Sequence, residues 1–309
     1  MLFQQPKFWQ RKGIIALVLF PLSLLYRFAA AVKRMRASPY RAKIPVVCIG
    51  NISIGGTGKT PIVEAVARFY IKKRARVAIL SRGYGGSAKG PLIVRPGKHT
   101  AAMVGDEPLM LATALPRAKV VICADRAASA KLIENRADVI VMDDGLQNFT
   151  LAKTCQVCVV RGLGNGLTLP AGPLREPASA LKKMDAIIAP EGMKFKGAHV
   201  FHSRTRFVKR PKHASSAMAG IGDPQRFFSH VESVARTKLT HAFAFPDHHF
   251  YTDTELEAVA KFAPVYTTSK DFVKIPDRLK KYFIEVKIKA EVDDEFFRIL
   301  PKLNRARPR

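Results

Sequence analysis

The stretch from Ile44 to Thr60, IPVVCIGNISIGGTGKT, constrains this chain more than any other. An apolar, β-rich run, Val46 to Ile49, breaks into Gly55, Gly56, Thr57, Gly58, Lys59 and Thr60. Pro61 follows, where a first helical turn tolerates proline, and a helical pattern continues to about Lys72. Strand, glycine loop, Lys-Thr and helix form the context in which a chain cradles phosphate. The glycines let backbone N–H groups turn inward onto oxyanions. The helix start adds about half a positive charge. In that arrangement Lys59 reaches the β- and γ-phosphates and the Thr60 hydroxyl holds Mg²⁺. Ser53 stands where the usual pattern has its first glycine. A glycine-rich turn that binds nothing would not need the strand and helix that flank this one. The loop implies a nucleotide and leaves the reaction open.

At 309 residues the chain has room for two domains, each able to bury a core. Lys plus Arg number 52 against 24 Asp plus Glu, a formal charge of +28. That excess favours an anionic partner: nucleic acid, an acidic membrane leaflet or a phosphorylated substrate. A solvated basic surface has the same composition, so charge alone does not choose. Cys155 and Cys158 have the spacing of a metal or redox pair. They lie in a strand-like run, however, where a spacing of three sends side chains to opposite faces. Cys48 and Cys123 also fall in strands, and small apolar packing in a reducing compartment accounts for all four.

The N-terminus carries Lys7, Arg11 and Lys12 around Phe8 and Trp9, then an uncharged run from Gly13 to Tyr26. Counted through Arg27 to Val32, the segment just reaches the roughly 20 residues a spanning helix needs. Lys33, Arg34 and Arg36 close it. Ala29 to Ala31 resembles a signal-peptide cleavage site, but export would carry the glycine loop away from cytosolic nucleotide. Basic flanks on both sides suit a helix at an anionic leaflet, where each Lys or Arg contributes about 1 kcal/mol. A buried core helix is the plain alternative. Beyond it strand and helix alternate, with strands beginning at Val77, Val120, Val139 and Val157. The expected fold class is α/β: a P-loop NTPase-like parallel sheet with helices on both faces. A smaller C-terminal α/β domain should follow. Expected boundaries are 1–36 for the membrane-associated helix, 37–200 for the core and 201–309 for the smaller domain with its basic tail, Asn304 to Arg309. In such sheets ligands sit at the carboxyl ends of the strands.

Polar motifs fall at those ends. Asp143 and Asp144 close a hydrophobic strand, as a Mg²⁺-holding Walker B carboxylate does. Asp106 and Glu107 open a helix, where carboxylates also serve as caps. Asp247, His248 and His249 follow a strand; an Asp and a His together can remove a proton from an attacking hydroxyl. Arg82, Arg126 and Arg175 sit at element edges. Arginine suits bidentate phosphate contacts, though each taken singly is an ordinary surface charge.

Taken together, GNISIGGTGKTP (Gly50 to Pro61), LSRGYGG (Leu80 to Gly86), GDEP (Gly105 to Pro108) and DDGLQN (Asp143 to Asn148) resemble the tetraacyldisaccharide 4'-kinase (lipid A 4'-kinase) family. LPAGPLREP (Leu169 to Pro177), AGIGDPQRFF (Ala219 to Phe228) and FPDHHFYT (Phe245 to Thr252) continue the likeness in the family's order. Thr267 to Ile275 follows it with Ser269 where the family has Glu, and the Ser53 form of the loop is also the family's. The resemblance implies an ATP- and Mg²⁺-dependent kinase on the cytoplasmic face of the inner membrane. It would phosphorylate the 4'-hydroxyl of a tetraacylated disaccharide 1-phosphate, a lipid A precursor. By motif, Asp106 would be the catalytic carboxylate paired with His248, adjacent His249 being the other candidate. Lys59, Arg126 and Arg175 would meet phosphate or developing charge. Ser53, Ile54, Gly55, Gly56, Thr57, Gly58, Lys59 and Thr60 would hold ATP; Thr60, Asp143 and Asp144 would hold Mg²⁺. Asn51, Arg82, Gly83, Tyr84, Gly85, Glu107 and Gln147 would contact the acceptor.

An acylated acceptor is met at the bilayer, since extracting a chain costs about 0.8 kcal/mol per CH₂. A partitioning or metal-chaperone P-loop protein would carry Lys where Ile54 stands. A nucleic-acid binder would need a recognition helix, zinc module or aromatic RNA motif, none of which the sequence shows. A soluble small-molecule kinase would have no use for the apolar N-terminal run.

Overall fold

The structure is a computed structural model and describes residues 6–193, 195, 199–208 and 213–303. The expected alternation forms. The strands are β1 (Val46–Gly50), β2 (Val77–Ser81), β3 (Leu92–Ile93), β4 (Ala118–Ile122), β5 (Val139–Asp143), β6 (Cys155–Val159) and β7 (Ala186–Ala189). β8 (Val200–Phe207), β9 (Ser216–Ala219), β10 (His241–Ala244), β11 (Val265–Thr268), β12 (Phe283–Val286) and β13 (Ile288–Val292) complete them. The helices are α1 (Ile14–Met35), α2 (Lys59–Lys72), α3 (Ala101–Val104), α4 (Asp106–Ala114) and α5 (Arg126–Ile133). After them come α6 (Pro224–Ala235), α7 (Asp253–Ala260), α8 (Ser269–Phe272), α9 (Asp277–Lys280) and α10 (Phe296–Ile299).

A nine-stranded sheet runs β13-β8-β7-β6-β1-β5-β2-β4-β3, and a four-stranded sheet runs β10-β9-β11-β12. The small sheet is parallel throughout. In the large one only the edges, β3 on β4 and β13 on β8, are antiparallel. Its central strands read as unbroken apolar runs because both faces are covered. Val47 and Ile49 of β1 share one core with Ile62, Val63, Val66 and Tyr70 of α2. Val46 and Cys48 share the other with Ala130 and Ile133 of α5. Cys155 and Cys158 divide between these two cores, and all four cysteines are free and buried. Burial pushes the Cys48, Cys155 and Cys158 thiols up to about 12, leaving them poor metal ligands.

The division expected at residue 200 does not follow the sheets. β8 lies on the large sheet, and β13 returns from the far side of the small unit to pair with it, Ile288 opposite Phe207. Val208 N–H donates to Lys287 O at 2.9 Å, so the two crossings between units run side by side. Past β13, Phe296 is fully buried against Phe201, and Phe297 stacks on Phe69 of α2 at 5.1 Å. No hydrophobic period in residues 288–300 betrays this return; only partners distant in sequence bury the two phenylalanines. The basic tail, residues 304–309, lies outside the described residues.

Helix α1 has 22 residues, with mean hydropathy 2.0 over an 18-residue stretch, and is the one helix among the described residues long and apolar enough to cross a membrane. It is not a core helix. Ala16 and Ser23 are its buried residues, while Leu17, Val18 and Phe28 are 73%, 70% and 69% exposed. Ser23 Oγ donates to Thr168 O at 2.8 Å and accepts from Ala171 N–H at 3.2 Å. Tyr26 Oη donates to Arg175 O, and buried Trp9 donates its indole N–H to Pro170 O. One narrow polar face thus docks on residues 165–175, and the apolar remainder points outward.

Phe296→Ala should lower stability by about 3–5 kcal/mol. Chemical denaturation would read this as a clear fall in the midpoint for the large-sheet unit.

Candidate active site

β1 and α2 meet through residues 51–58. Gly58 adopts φ 75° immediately before Lys59, and a Cβ there would lie 2.7 Å from Arg161 Nη2. The left-handed backbone favours glycine here, and a side chain would also push the Arg161 guanidinium aside. Arg161, at the end of β6, donates from Nε to Thr57 O at 2.8 Å. Asn51 is fully buried, and its amide donates to Ser53 O at 2.8 Å. The outer rim is stitched to residues 173–175: Ile54 N–H donates to Pro173 O at 2.8 Å and Arg175 N–H to Ile52 O at 2.6 Å.

Parallel pairing of β1 with β5 sets Ile49 opposite Asp143, so the Asp143–Asp144 pair lies beside the loop. Asp144 accepts from Lys59 Nζ at 3.5 Å and Arg175 Nη1 at 3.4 Å. Asp143 is buried; burial, Glu107 and Asp144 raise its pKa, against the pull of Lys59 and Arg126. Carboxylates crowded this way have the donor chemistry for a divalent cation shared with phosphate oxygens. Among the described residues no cluster of three or more His, Cys, Asp or Glu forms a cation cage without such oxygens. Arg126 is buried at the start of α5 and donates to Cys123 O and to Asp143 O. Its Nε, Thr57 Oγ1 and Asn51 Oδ1 are buried without a hydrogen-bond partner among the described residues.

Asp106 opens α4 after Gly105, and its Oδ1 accepts the Glu107 N–H at 2.8 Å. Both its oxygens lie 3.0 Å from His248 Nδ1, a residue of the small unit. His249 turns away and pairs with Glu255 at 3.1 Å. His248 holds φ 60°, a left-handed conformation uncommon outside glycine, and Tyr84 packs edge-on against its ring at 5.0 Å. Two lysines join from the segment after β11: Lys270 Nζ at 3.9 Å and Lys274 Nζ at 3.8 Å from Asp106 Oδ2. Burial would push the 5% exposed Asp106 up, but the His248 hydrogen bond, Lys270 and Lys274 outweigh it and hold the carboxyl below its usual range.

One cleft of about 2640 Å³ joins these groups. Ile54 through Thr60, Arg82, Tyr84, Glu107, Arg126, Asp143, Asp144, Gln147, Arg175 and His248 line it, together with Lys33 from the end of α1. A pocket for one drug-sized ligand needs roughly 300–1,000 Å³, so a nucleotide and a second substrate both have room. Asn51, Ser53, Gly83, Gly85 and Asp106 do not line it; Asn51 shapes the glycine loop from beneath, Gly83 and Gly85 form the turn that presents Tyr84, and Asp106 is held by His248, which does line it. Gln147 donates to Asn51 O and to Glu176 Oε1, bracing the rim. Sequence patterns assign no role to Arg161, Lys270 or Lys274. Arg161 is marked only by following a strand, and the two lysines only by the Thr267 to Ile275 motif.

The family model for tetraacyldisaccharide-1-P 4'-kinase matches residues 15–305. A tetraacyldisaccharide 4'-kinase of Rhodopseudomonas palustris (strain BisA53) is 38% identical over 300 residues, 89% of this chain and 87% of that protein. One from Jannaschia sp. is 38% identical over 94% of this chain and 95% of its own length. The crystal structure of LpxK from Aquifex aeolicus in complex with ATP superposes with a TM-score of 0.78 at 26% identity, covering 93% of this chain and 98% of that one.

Gly58→Ala should weaken ATP binding by about tenfold or more, since strain at a left-handed position costs about 1–3 kcal/mol. Titration calorimetry with ATP, beside an unchanged circular dichroism spectrum, checks it.

Proposed function

The chain belongs to the tetraacyldisaccharide-1-P 4'-kinase family, and from that membership we propose how it moves the γ-phosphoryl group of ATP to the 4'-hydroxyl of a tetraacyldisaccharide 1-phosphate. The observation that carries the proposal is a single cleft lined by the glycine loop and by His248, the residue that holds the Asp106 carboxylate. A phosphate donor and a hydroxyl acceptor can meet there in line.

The loop N–H groups and Lys59 bind the β- and γ-phosphates. Arg126, Arg161 and Arg175 ring the same end of the sheet and face charge that builds on the transferring group. Thr60, Asp143 and Asp144 would hold Mg²⁺, which would offset the negative charge of the phosphates. Asp106, kept deprotonated by its cationic neighbours, accepts the proton as the acceptor O–H bond breaks. The acceptor oxygen bonds to γ-phosphorus, and the bond from γ-phosphorus to the leaving ADP oxygen breaks. A carboxylate held this low is a weak base. That suits a loose transition state, in which the hydroxyl loses its proton late. His248 orients the carboxylate, and Tyr84, Glu107 and Gln147 border the sugar.

Membrane attachment follows from α1. Ser23 and Tyr26 tie the middle of the helix to residues 168–175, and spanning would drag that irregular backbone into hydrocarbon. The helix therefore lies in the interface, its apolar face in the acyl layer and Lys33 and Arg34 at anionic headgroups on the cytoplasmic side. Lys33 at the cleft joins that surface to the site.

The direct test is purified protein, labelled ATP and the lipid disaccharide 1-phosphate; absence of label from the lipid would exclude the kinase activity. Asp106→Asn should lower kcat by about 10²–10⁴ with ATP affinity retained. Deleting residues 1–36 should free the protein from anionic vesicles in a flotation assay, and continued flotation would show that another surface anchors it.

A further inference from the structure

Lys270 belongs to none of the nucleotide-binding parts, yet it touches four groups at the proposed base. Its Nζ lies 3.2 Å from His248 Nε2, 3.0 Å from Asp247 Oδ1, 3.5 Å from Glu107 Oε1 and 3.9 Å from Asp106 Oδ2. Lys274, by contrast, is committed: its ammonium sits 2.7 Å from Asp271 and donates to His249 O at 3.0 Å.

An ammonium carries three donors and no acceptor. A nitrogen in hydrogen-bond contact with it must therefore offer a lone pair. His248 Nε2 is that nitrogen, so a neutral ring carries its one hydrogen on Nδ1, the atom 3.0 Å from both oxygens of Asp106. Protonating Nε2 as well would set two cations 3.2 Å apart and break the lysine contact.

We propose that Lys270 is a positioning residue for phosphoryl transfer: it locks His248 in the Nδ1–H tautomer and leaves Asp106 as the group that receives the acceptor's proton. The proposal rests on Asp106 being the base. The charged and titratable groups facing this pair are Glu107 from α4, Asp247 from the turn after β10, Lys270 from α8, and Asp271 and Lys274 beside it. Tyr84 packs on the imidazole, and Tyr251 donates to Asp271. Burial draws the Lys270 ammonium down, but Glu107, Asp106 and Asp247 outweigh it and raise its pKa, so the donor stays charged. Because Lys270 and His248 come from the small unit and Asp106 from the large one, the lock closes only when the units are docked.

The test is the pH profile of kcat/KM in the full chain. Removing a cation about 4 Å from Asp106 raises the carboxyl pKa, so in Lys270→Met the acidic limb should move up by about one pH unit or more. KM for ATP should stay unchanged, and Lys270→Arg should return the limb toward its original position. Loss of rate with the limb unmoved would mark Lys270 as merely structural and overturn the proposal. Full activity with an unmoved limb would do the same. Should Lys270→Met fail to fold, ¹⁵N imidazole shifts of the unmutated protein decide: an unprotonated Nε2 supports the lock, and an Nε2–H tautomer excludes it. If Asp106→Asn keeps its turnover, the base assignment falls by a result separate from the state of Lys270.

Discussion

A carboxylate with 5% of its surface exposed stands at the join of the two sheets, and its charge is met almost entirely from the other side. Asp106 belongs to the large unit; His248, Lys270 and Lys274 belong to the small one. A buried charge without partners is costly, so docking the units and compensating this carboxylate are one event. The left-handed backbone of His248 fits the same demand, because the turn must deliver the ring to one place.

The second constraint joins the apolar N-terminal helix to the nucleotide loop. Residues 165–175 receive Trp9, Ser23 and Tyr26 on one side and bond to Ile52 and Ile54 on the other. Arg175 emerges from this segment onto Asp144 at 3.4 Å. An apolar helix, the glycine loop and an arginine paired with Asp144 thus share one short piece of irregular chain. The large positive balance of the sequence is placed accordingly. Lys33 and Arg34 sit in the last turn of α1, where the helix dipole also favours cations, while Lys59, Arg126, Arg161 and Arg175 crowd the strand ends.

Much of the site is legible in the primary structure because its elements are local. The glycine loop lies between its strand and helix, Asp143 closes a strand, and Asp106 opens a helix; each is fixed by neighbours a few residues away. Parallel strands then bring these ends to one edge of the sheet, as a βαβ chain requires. The choice of His248 over His249 is different. Adjacent residues have the same chemistry, and only the turn at His248 separates them. Lys270 and Lys274 are hidden for the same reason, since their meaning lies in Asp106, far away in the chain.

The amino-acid order by itself determined the α/β class, the phosphate cradle, the apolar N-terminal helix and the likeness to a kinase family, because short-range periodicity and spacing encode those. Tertiary structure alone decided that β13 and α10 return to the large sheet, that α1 lies along the molecule by a polar seam, and which histidine faces the carboxylate. Each of these depends on contacts between segments remote in the chain, where burial and hydrogen-bond partners, rather than local pattern, set the outcome.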